Sequence, residues 1–234
     1  METHLTLQLT AAPEQQNLSA LLAQHGVTPS AEVSIECSIP AHARVMLFDD
    51  LQLHGYGKVT LRFAVHADAQ FEYLLRDVAG MTADEQGSPH DLDRSITCVL
   101  AGARAHAAVR CLYFGNEARR LTIKTRQDHQ AVDATSTVVV KAVLTDTARL
   151  TCHSMISVAP GANGTLAEQV NKNILLSRTA RAVSIPMLEV LANDVKCKHG
   201  AAISTLDEEQ KFYLQSRGLT TEQTRAMLLA AFLS

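Results

Sequence analysis

The sequence predicts a mainly β chain that ends in two short helices, and three observations carry that expectation. Alternating apolar and polar runs rich in Val, Ile, Leu and Thr follow one another from about residue 31 to residue 158, with little helical pattern between them. The breaks are small or polar, as at Ala101-Gly102-Ala103, Gly115-Asn116-Glu117 and Pro160-Gly161-Ala162-Asn163-Gly164. From Leu206 the apolar period becomes that of a helix. Closely spaced strands suit a sandwich, a barrel or a β-solenoid. The lack of tight Asn-Gly hairpin signals and the abundance of small residues favour the solenoid, although no fixed-length repeat is visible.

In chain order, Leu5, Leu7 and Leu9 alternate as a short strand would. Pro13 opens a helical pattern with Leu18, Leu21 and Leu22 on one face, and Gly26 stops it, so a helix is expected over about residues 13 to 25. Strands follow at Val33–Cys37, Lys58–Val65 and Gln70–Leu75. A polar break spans Asp84 to Asp93. Further strands are Ser95–Leu100, Ala105–Phe114, Arg120–Lys124, Ala134–Leu144 and Ala148–Val158, and Ile185 to Val190 is strand-like. Thr205-x-x-Glu208 matches a capping box, and Asp207, Glu208 and Glu209 favour a helix start. Arg217 and Gly218 mark its end. Thr220-x-x-Gln223 caps a second helix that carries Met227, Leu228, Ala231 and Phe232. Helices this short need something to pack against. The chain thus divides into an N-terminal strand and helix segment (1–30), a β core (31–203) and a two-helix subdomain (204–234).

Composition narrows the function. Of 234 residues, 47% are hydrophobic and 19% charged, a globular balance. Trp is absent and aromatics are 4%, so the core must be aliphatic. A net charge of −3 gives no support to nucleic-acid binding, and the cations Arg104, Arg110, Arg119, Arg120, Lys124 and Arg126 are spaced like an outward, solvated strand face. Five scattered cysteines with no CxxC, no secretory signal and no long apolar run point to a reducing, cytoplasmic setting without a membrane span. Neither a GxxxxGK[ST] loop nor a GxGxxG is present.

The candidate site is Cys197-x-His199-Gly200. Residues two apart on a strand point the same way, so one partner surface sees a soft thiol and an imidazole together. Both are iron ligands by chemistry. The alternative is packing: a buried thiol, and a histidine satisfied by a turn carbonyl. Cys152 and His153 are adjacent and point to opposite faces, which makes a shared ligand role sterically poor. Cys37, Cys98 and Cys111 sit inside apolar runs and read as core. His129 reads as a structural turn residue.

The last 110 or so residues resemble the SufB/SufD family of iron–sulfur cluster assembly scaffold proteins. The resemblance is carried by His129 to Thr137, Lys141 to Leu144, Asn173-Ile174-Leu175-Leu176-Ser177, Pro186-x-Leu188-Glu189-Val190, Asp194 to Gly200, Leu206 to Glu209, Phe212-Tyr213-Leu214-x-Ser216-Arg217-Gly218 and Phe232, in the family's order. It implies a right-handed parallel β-helix with a small C-terminal helical subdomain. It also implies a non-enzymatic scaffold that dimerises through its β-helix, with itself or with a B-type subunit, and docks an ABC-type ATPase through its C-terminal helices. ATP hydrolysis then resides in the partner. On this reading His199 and Cys197 form a cluster-assembly interface and transient iron–sulfur ligands, with no tightly bound cofactor. Phe212, Tyr213, Arg217, Met227, Leu228 and Phe232 meet the ATPase. Lys198 stands where the family usually has Ser, and Asn171 where B-type members have Cys, so the chain is D-like. The alternative is a purely structural module of the same complex that never handles iron or sulfur. A polysaccharide-cleaving β-helix enzyme is disfavoured by the lack of paired acids and of an aromatic cleft.

Overall fold

The computed structural model describes residues 3–9, 16–26, 32–50, 57–78 and 91–234. Among these described residues, fourteen strands run β1 (Thr3–Gln8), β2 (Gln16–Asn17), β3 (Glu32–Ile39), β4 (Arg44–Asp49), β5 (Gly57–Val65), β6 (Gln70–Asp77), β7 (Leu92–Leu100), β8 (His106–Gly115), β9 (Arg120–His129), β10 (Thr135–Leu144), β11 (Arg149–Val158), β12 (Thr165–Leu175), β13 (Arg181–Val190) and β14 (Val195–Ser204). Three helices join them: α1 (Leu18–Gln24), α2 (Glu208–Ser216) and α3 (Thr221–Leu233). Odd strands form one seven-stranded parallel sheet in the order β1-β3-β5-β7-β9-β11-β13. Even strands form the other, β14-β12-β10-β8-β6-β4-β2. Each coil is therefore one odd strand, a corner, one even strand and a return, and about six coils stack into a parallel β-solenoid.

The coil lengths explain why no repeat shows in the sequence. Val59 pairs with Val33, 26 residues back, and Arg94 pairs with Val59, 35 residues back. Later coils settle near Cys152 with Ile123, 29 residues apart. Register is held instead by the corners. His42, Asp68, Arg104 and Asp133 each take a left-handed φ of 56° to 62° at equivalent corners. Such a φ is unfavourable for a side chain with a Cβ. The stacking offsets it: the N–H of Asp68 donates to Ala103 O at 3.0 Å, and that of Arg104 to Val132 O at 3.0 Å. Arg104 also forks onto the Asp68 carboxylate at 2.6 and 2.8 Å. The next corner uses Gly164, where a Cβ would lie 2.1 Å from Asp133 Oδ1.

Alternating strand residues fill the space between the sheets with a core that includes Cys37, Cys98, Cys111 and Cys152; it is mostly aliphatic but, against expectation, also buries the rings of Phe63, Phe71, Tyr73 and Tyr113. His153, beside Cys152, faces the other way. A buried ion pair lies deep in this core. Arg94 on β7 donates to the Asp49 carboxylate on β4, which also accepts from the Tyr73 hydroxyl, and Arg94 is 2% exposed. A second apolar cluster lies outside the even-numbered sheet. Leu112, Phe114, Val143 and Ile174 meet Leu206, Leu229 and Leu233, which seat the helical hairpin on the sheet.

Several expectations change. The first helix begins at Leu18, and residues 13–15 of the expected span lie outside the described residues. The N-cap of α2 is Asp207, whose carboxylate accepts from Glu209 N and Gln210 N, so Thr205 does not cap it. The capping box at Thr220 and Gln223 is present. Arg119 belongs to no solvated face: it is 5% exposed and pairs with Asp77 at 2.7 Å. His129 is no turn residue. It closes β9 with its ring inside the solenoid. Strands β4 and β12 go unpredicted, as does β2, whose Gln16 and Asn17 lie inside the expected helix. β12 presents Thr165, Gln169, Asn171 and Asn173 to the interior, so its alternation is not one of hydrophobicity.

Candidate functional site: the open end and the helical hairpin

The solenoid ends at β13 and β14, each hydrogen-bonded on one side only. The N–H groups of Arg181 and Leu191 donate back to Ala148 and Val158 on the β11 side. By alternation, even-numbered residues of β13 aim theirs at the free edge. Pro186 is one of these, so its missing donor costs no ladder bond and blunts the edge. The end is also apolar: Val183, Ile185, Met187, Leu188, Val190, Leu191 and Ile203 are all exposed.

Cys197 and His199 lie on β14 in register with Ala167 and Gln169 of β12, both interior positions. The two side chains therefore continue the inward-facing columns at the open end. Cys197 is half-buried against a small cluster of Ile156, Val158, Ala162 and Ala167. Burial raises its thiol above the usual value of 9.0. His199 is exposed. Gly200 continues the strand and is not a turn, so no turn carbonyl satisfies His199 in the way packing would require. The outward residue between them, Lys198, pairs in register with Glu168.

Beneath this pair the interior is polar, which sequence reasoning missed. Asn173 Nδ2 donates to Asn171 Oδ1, and Ser184 Oγ of β13 donates to Asn171 Oδ1 at 3.1 Å. The Cys152 thiol lies 3.4 Å from Ser154 Oγ. One coil back, Ser136 Oγ donates to Gln127 Oε1 at 2.7 Å, so His129 Nε2, 2.7 Å from Ser136 Oγ, must carry the proton. Among the described residues, His129 Nδ1, Gln169 Oε1 and Asn173 Oδ1 have no hydrogen-bond partner. The signal available beforehand was the run of polar residues at alternate positions of β12.

No group of three or more His, Cys, Asp or Glu side chains among the described residues is placed to hold a metal ion. Cys197 and His199 thus supply at most part of a ligand set.

The hairpin of α2 and α3 carries the other predicted residues. Tyr213, Leu214, Met227, Leu228 and Ala231 line an apolar groove of about 470 Å³, with Glu209 and Gln210 beside them. Phe212 is 75% exposed, and the Arg217 guanidinium sits 5.2 Å over the Tyr213 ring. Phe232 is placed differently. It is half-buried against the second cluster, with the Lys141 ammonium 5.7 Å from its ring centre, so it holds α3 to the sheet. No helix among the described residues is long and apolar enough to cross a membrane.

Comparison with known proteins places the chain by family. The profile of one protein family, described as "SUF system FeS cluster assembly, SufBD core domain", matches residues 31–232. An iron–sulfur cluster assembly protein SufD of Escherichia coli K12 is 35% identical over 109 residues, covering 47% of this chain and 26% of its own length. A SufBD family protein of Mycobacterium leprae is 33% identical over 141 residues, covering 57% and 36%. One of Staphylococcus saprophyticus is 24% identical over 204 residues, covering 87% and 42%. The chain therefore spans between about a quarter and two fifths of the length of these relatives.

Proposed function

The chain belongs to the SufBD core domain family, and from that premise we propose that it is a scaffold subunit of an iron–sulfur cluster assembly complex. It pairs with a second scaffold chain through the open end of its solenoid and docks an ABC-type ATPase on its C-terminal hairpin. The observation that carries this reading is the open end itself. Two unpaired strand edges with exposed apolar side chains are a liability in a lone chain and a ready interface in an assembly.

The pattern along β13 suits a second β13. Arg181, Val183, Ile185, Met187 and Glu189 share the outward face. Antiparallel apposition centred on Ile185, carried by side chains and not by main-chain bonds at Pro186, sets Arg181 against Glu189 of the partner subunit and Val183 against Met187 of the partner subunit. Opposite charges and apolar pairs then fall opposite one another. Glu189 is otherwise held only by Ser157 Oγ at 3.2 Å among the described residues.

The iron–sulfur cluster is cargo on this reading. Cys197 and His199 meet it at the junction, and groups of the second chain complete the ligand set that one chain lacks. Cys197 must lose a proton that burial holds on, so capture is favoured by rising pH. The ATPase provides the energy to open and close the junction, and the hairpin transmits it.

Anaerobic reconstitution with iron, sulfide and the partner subunits, read by absorption spectroscopy, tests the cargo role. His199→Ala should lower cluster yield while leaving the assembly intact. Unchanged yield would leave the second reading, a structural module that binds its partners and does not touch iron. The departure of Asn171 from the thiol of B-type members is what keeps that reading in view.

A further inference from the structure

We infer that the outward face of the even-numbered sheet is a docking surface for an acidic, amphipathic helix of a protein partner. The inference does not rest on the cluster reading above. The face lies between the open end and the hairpin. Its outward positions from β6 to β14 carry six cations, Arg76, Arg110, Lys141, Lys172, Lys196 and Lys198, against two carboxylates, Glu72 and Glu168. This excess stands in a chain whose net charge is −3. The other sheet treats its cations differently. There Arg120 lies 3.1 Å from Asp91, Lys124 3.6 Å from Asp93 and Arg126 3.5 Å from Asp128, and Lys58 holds Glu32. On the even-numbered face, none of the six cations forms an ion pair with a side-chain carboxylate among the described residues.

The cations are also crowded. Arg76, Lys141 and Lys172 stand in one column across β6, β10 and β12, and Arg110 of β8 stands in the adjoining column. Lys141 and Lys172 are directly opposite on neighbouring strands, about 4.8 Å apart, where like charges repel. Lys141 donates to Ser234 O at 2.7 Å, and burial, then Lys172 and Arg110, lower its pKa. Carboxylates of a partner offset that repulsion. Spacing selects a helix as their carrier. Acids three or four residues apart on a helix lie about 5–6 Å from one another, close to the strand spacing. A helix laid across the coils therefore keeps its carboxylates in step with the column, whereas an extended segment repeats at about 6.8 Å and drifts. In the adjoining column, half-buried Leu74, Val139 and Val170 flank Arg110 and floor the apolar edge of such a helix. The next column beyond the cations, Phe114, Val143 and Ile174, already carries α3. Outside that seat, these outward positions hold no aromatic ring on which a nucleotide base stacks.

The test is fluorescence anisotropy of a labelled synthetic peptide, with Glu on one helix face and Leu on the adjoining one, titrated with the whole chain. Saturable binding that weakens as sodium chloride rises is expected. Arg110→Glu/Lys172→Glu should weaken it at least about tenfold, and the milder Arg110→Gln/Lys172→Gln severalfold. Arg62→Glu/Arg149→Glu, at exposed positions of the odd-numbered sheet, makes the same change in net charge and should leave the affinity within about twofold. A peptide of the same composition in scrambled order should bind about tenfold more weakly. Equal weakening by the two Glu double variants would show attraction to net charge alone and overturn the proposal. So would binding that never saturates, or capture of a single-stranded oligonucleotide or of phosphatidylserine vesicles in place of the peptide.

Discussion

His129 offers the most quantitative test of how the interior near the open end is built. Its ring is fully buried and neutral, with Nε2 donating to Ser136 Oγ and Nδ1 without a partner. Burial lowers its pKa from 6.5 to about 4, against a smaller opposing effect of Asp128. The unfolded chain takes up a proton near pH 6.5 and the folded chain does not until about pH 4. The contribution to stability is therefore complete above pH 6.5 and is lost as pH falls through that window. The gap of about 2.5, at about 1.4 kcal/mol per pH unit, corresponds to roughly 3 kcal/mol. That is a large share of the ~5–15 kcal/mol of a typical domain. His129→Gln places an amide donor where Nε2 was and removes the titration. Urea unfolding should show the variant slightly less stable at about pH 8, by roughly 1 kcal/mol for imperfect packing. It should lose about 2.5 kcal/mol less than the native chain between pH 7 and pH 4.5. If the two proteins lose stability in parallel, His129 is not a buried neutral base, and its assignment as structural fails.

Three further outcomes follow from named contacts. Arg94→Met removes the countercharge of a fully buried Asp49 and should cost about 3–5 kcal/mol, most of it recovered in Arg94→Met/Asp49→Leu; a single-variant cost below about 1 kcal/mol by urea unfolding would contradict the buried pair. Cys197 should be the first thiol alkylated, since the other four are at most 3% exposed, and its rate should keep climbing above pH 9.0 because burial holds the proton on; a plateau below that pH would show an activated thiolate. Tyr213→Ala with Met227→Ala should weaken capture of the ATPase at least tenfold in a binding assay and leave the unfolding midpoint unchanged, whereas Phe232→Ala should lower the midpoint; equal effects on both readouts would remove the distinction between docking face and seam.

Most of the strand order was readable because the solenoid buries one face of each strand. Val59, Leu61, Phe63 and Val65 alternate with exposed or half-exposed neighbours, and the sequence shows that period directly. β12 escaped notice for the opposite reason: its interior residues are Thr165, Gln169, Asn171 and Asn173, and a polar core leaves no hydrophobic period to read. The coil length was hidden by returns of unequal length, which strand pairing tolerates because only the strands must stack. Arg119 and Arg94 look like surface cations in the sequence. Their partners Asp77 and Asp49 are distant in the chain and meet them only once the coils are stacked. For the site, Cys197 and His199 were found by spacing and by resemblance. Their position on the last, unpaired strand was not, because an edge strand has the same local pattern as a central one. Phe232 was assigned to the partner by the resemblance, and only the packing of α3 on the sheet shows that it faces inward.

The claim that the chain pairs through its open end is tested most directly by charge reversal on β13, read by native mass spectrometry of the chain alone and with the proposed ATPase partner. The native chain should appear as a two-scaffold assembly. Arg181→Glu should shift it to single scaffold chains that still carry ATPase, and Arg181→Glu/Glu189→Arg should restore the pair. A native chain that stays single at all concentrations, or an Arg181→Glu variant that pairs as well as the native one, would contradict the account.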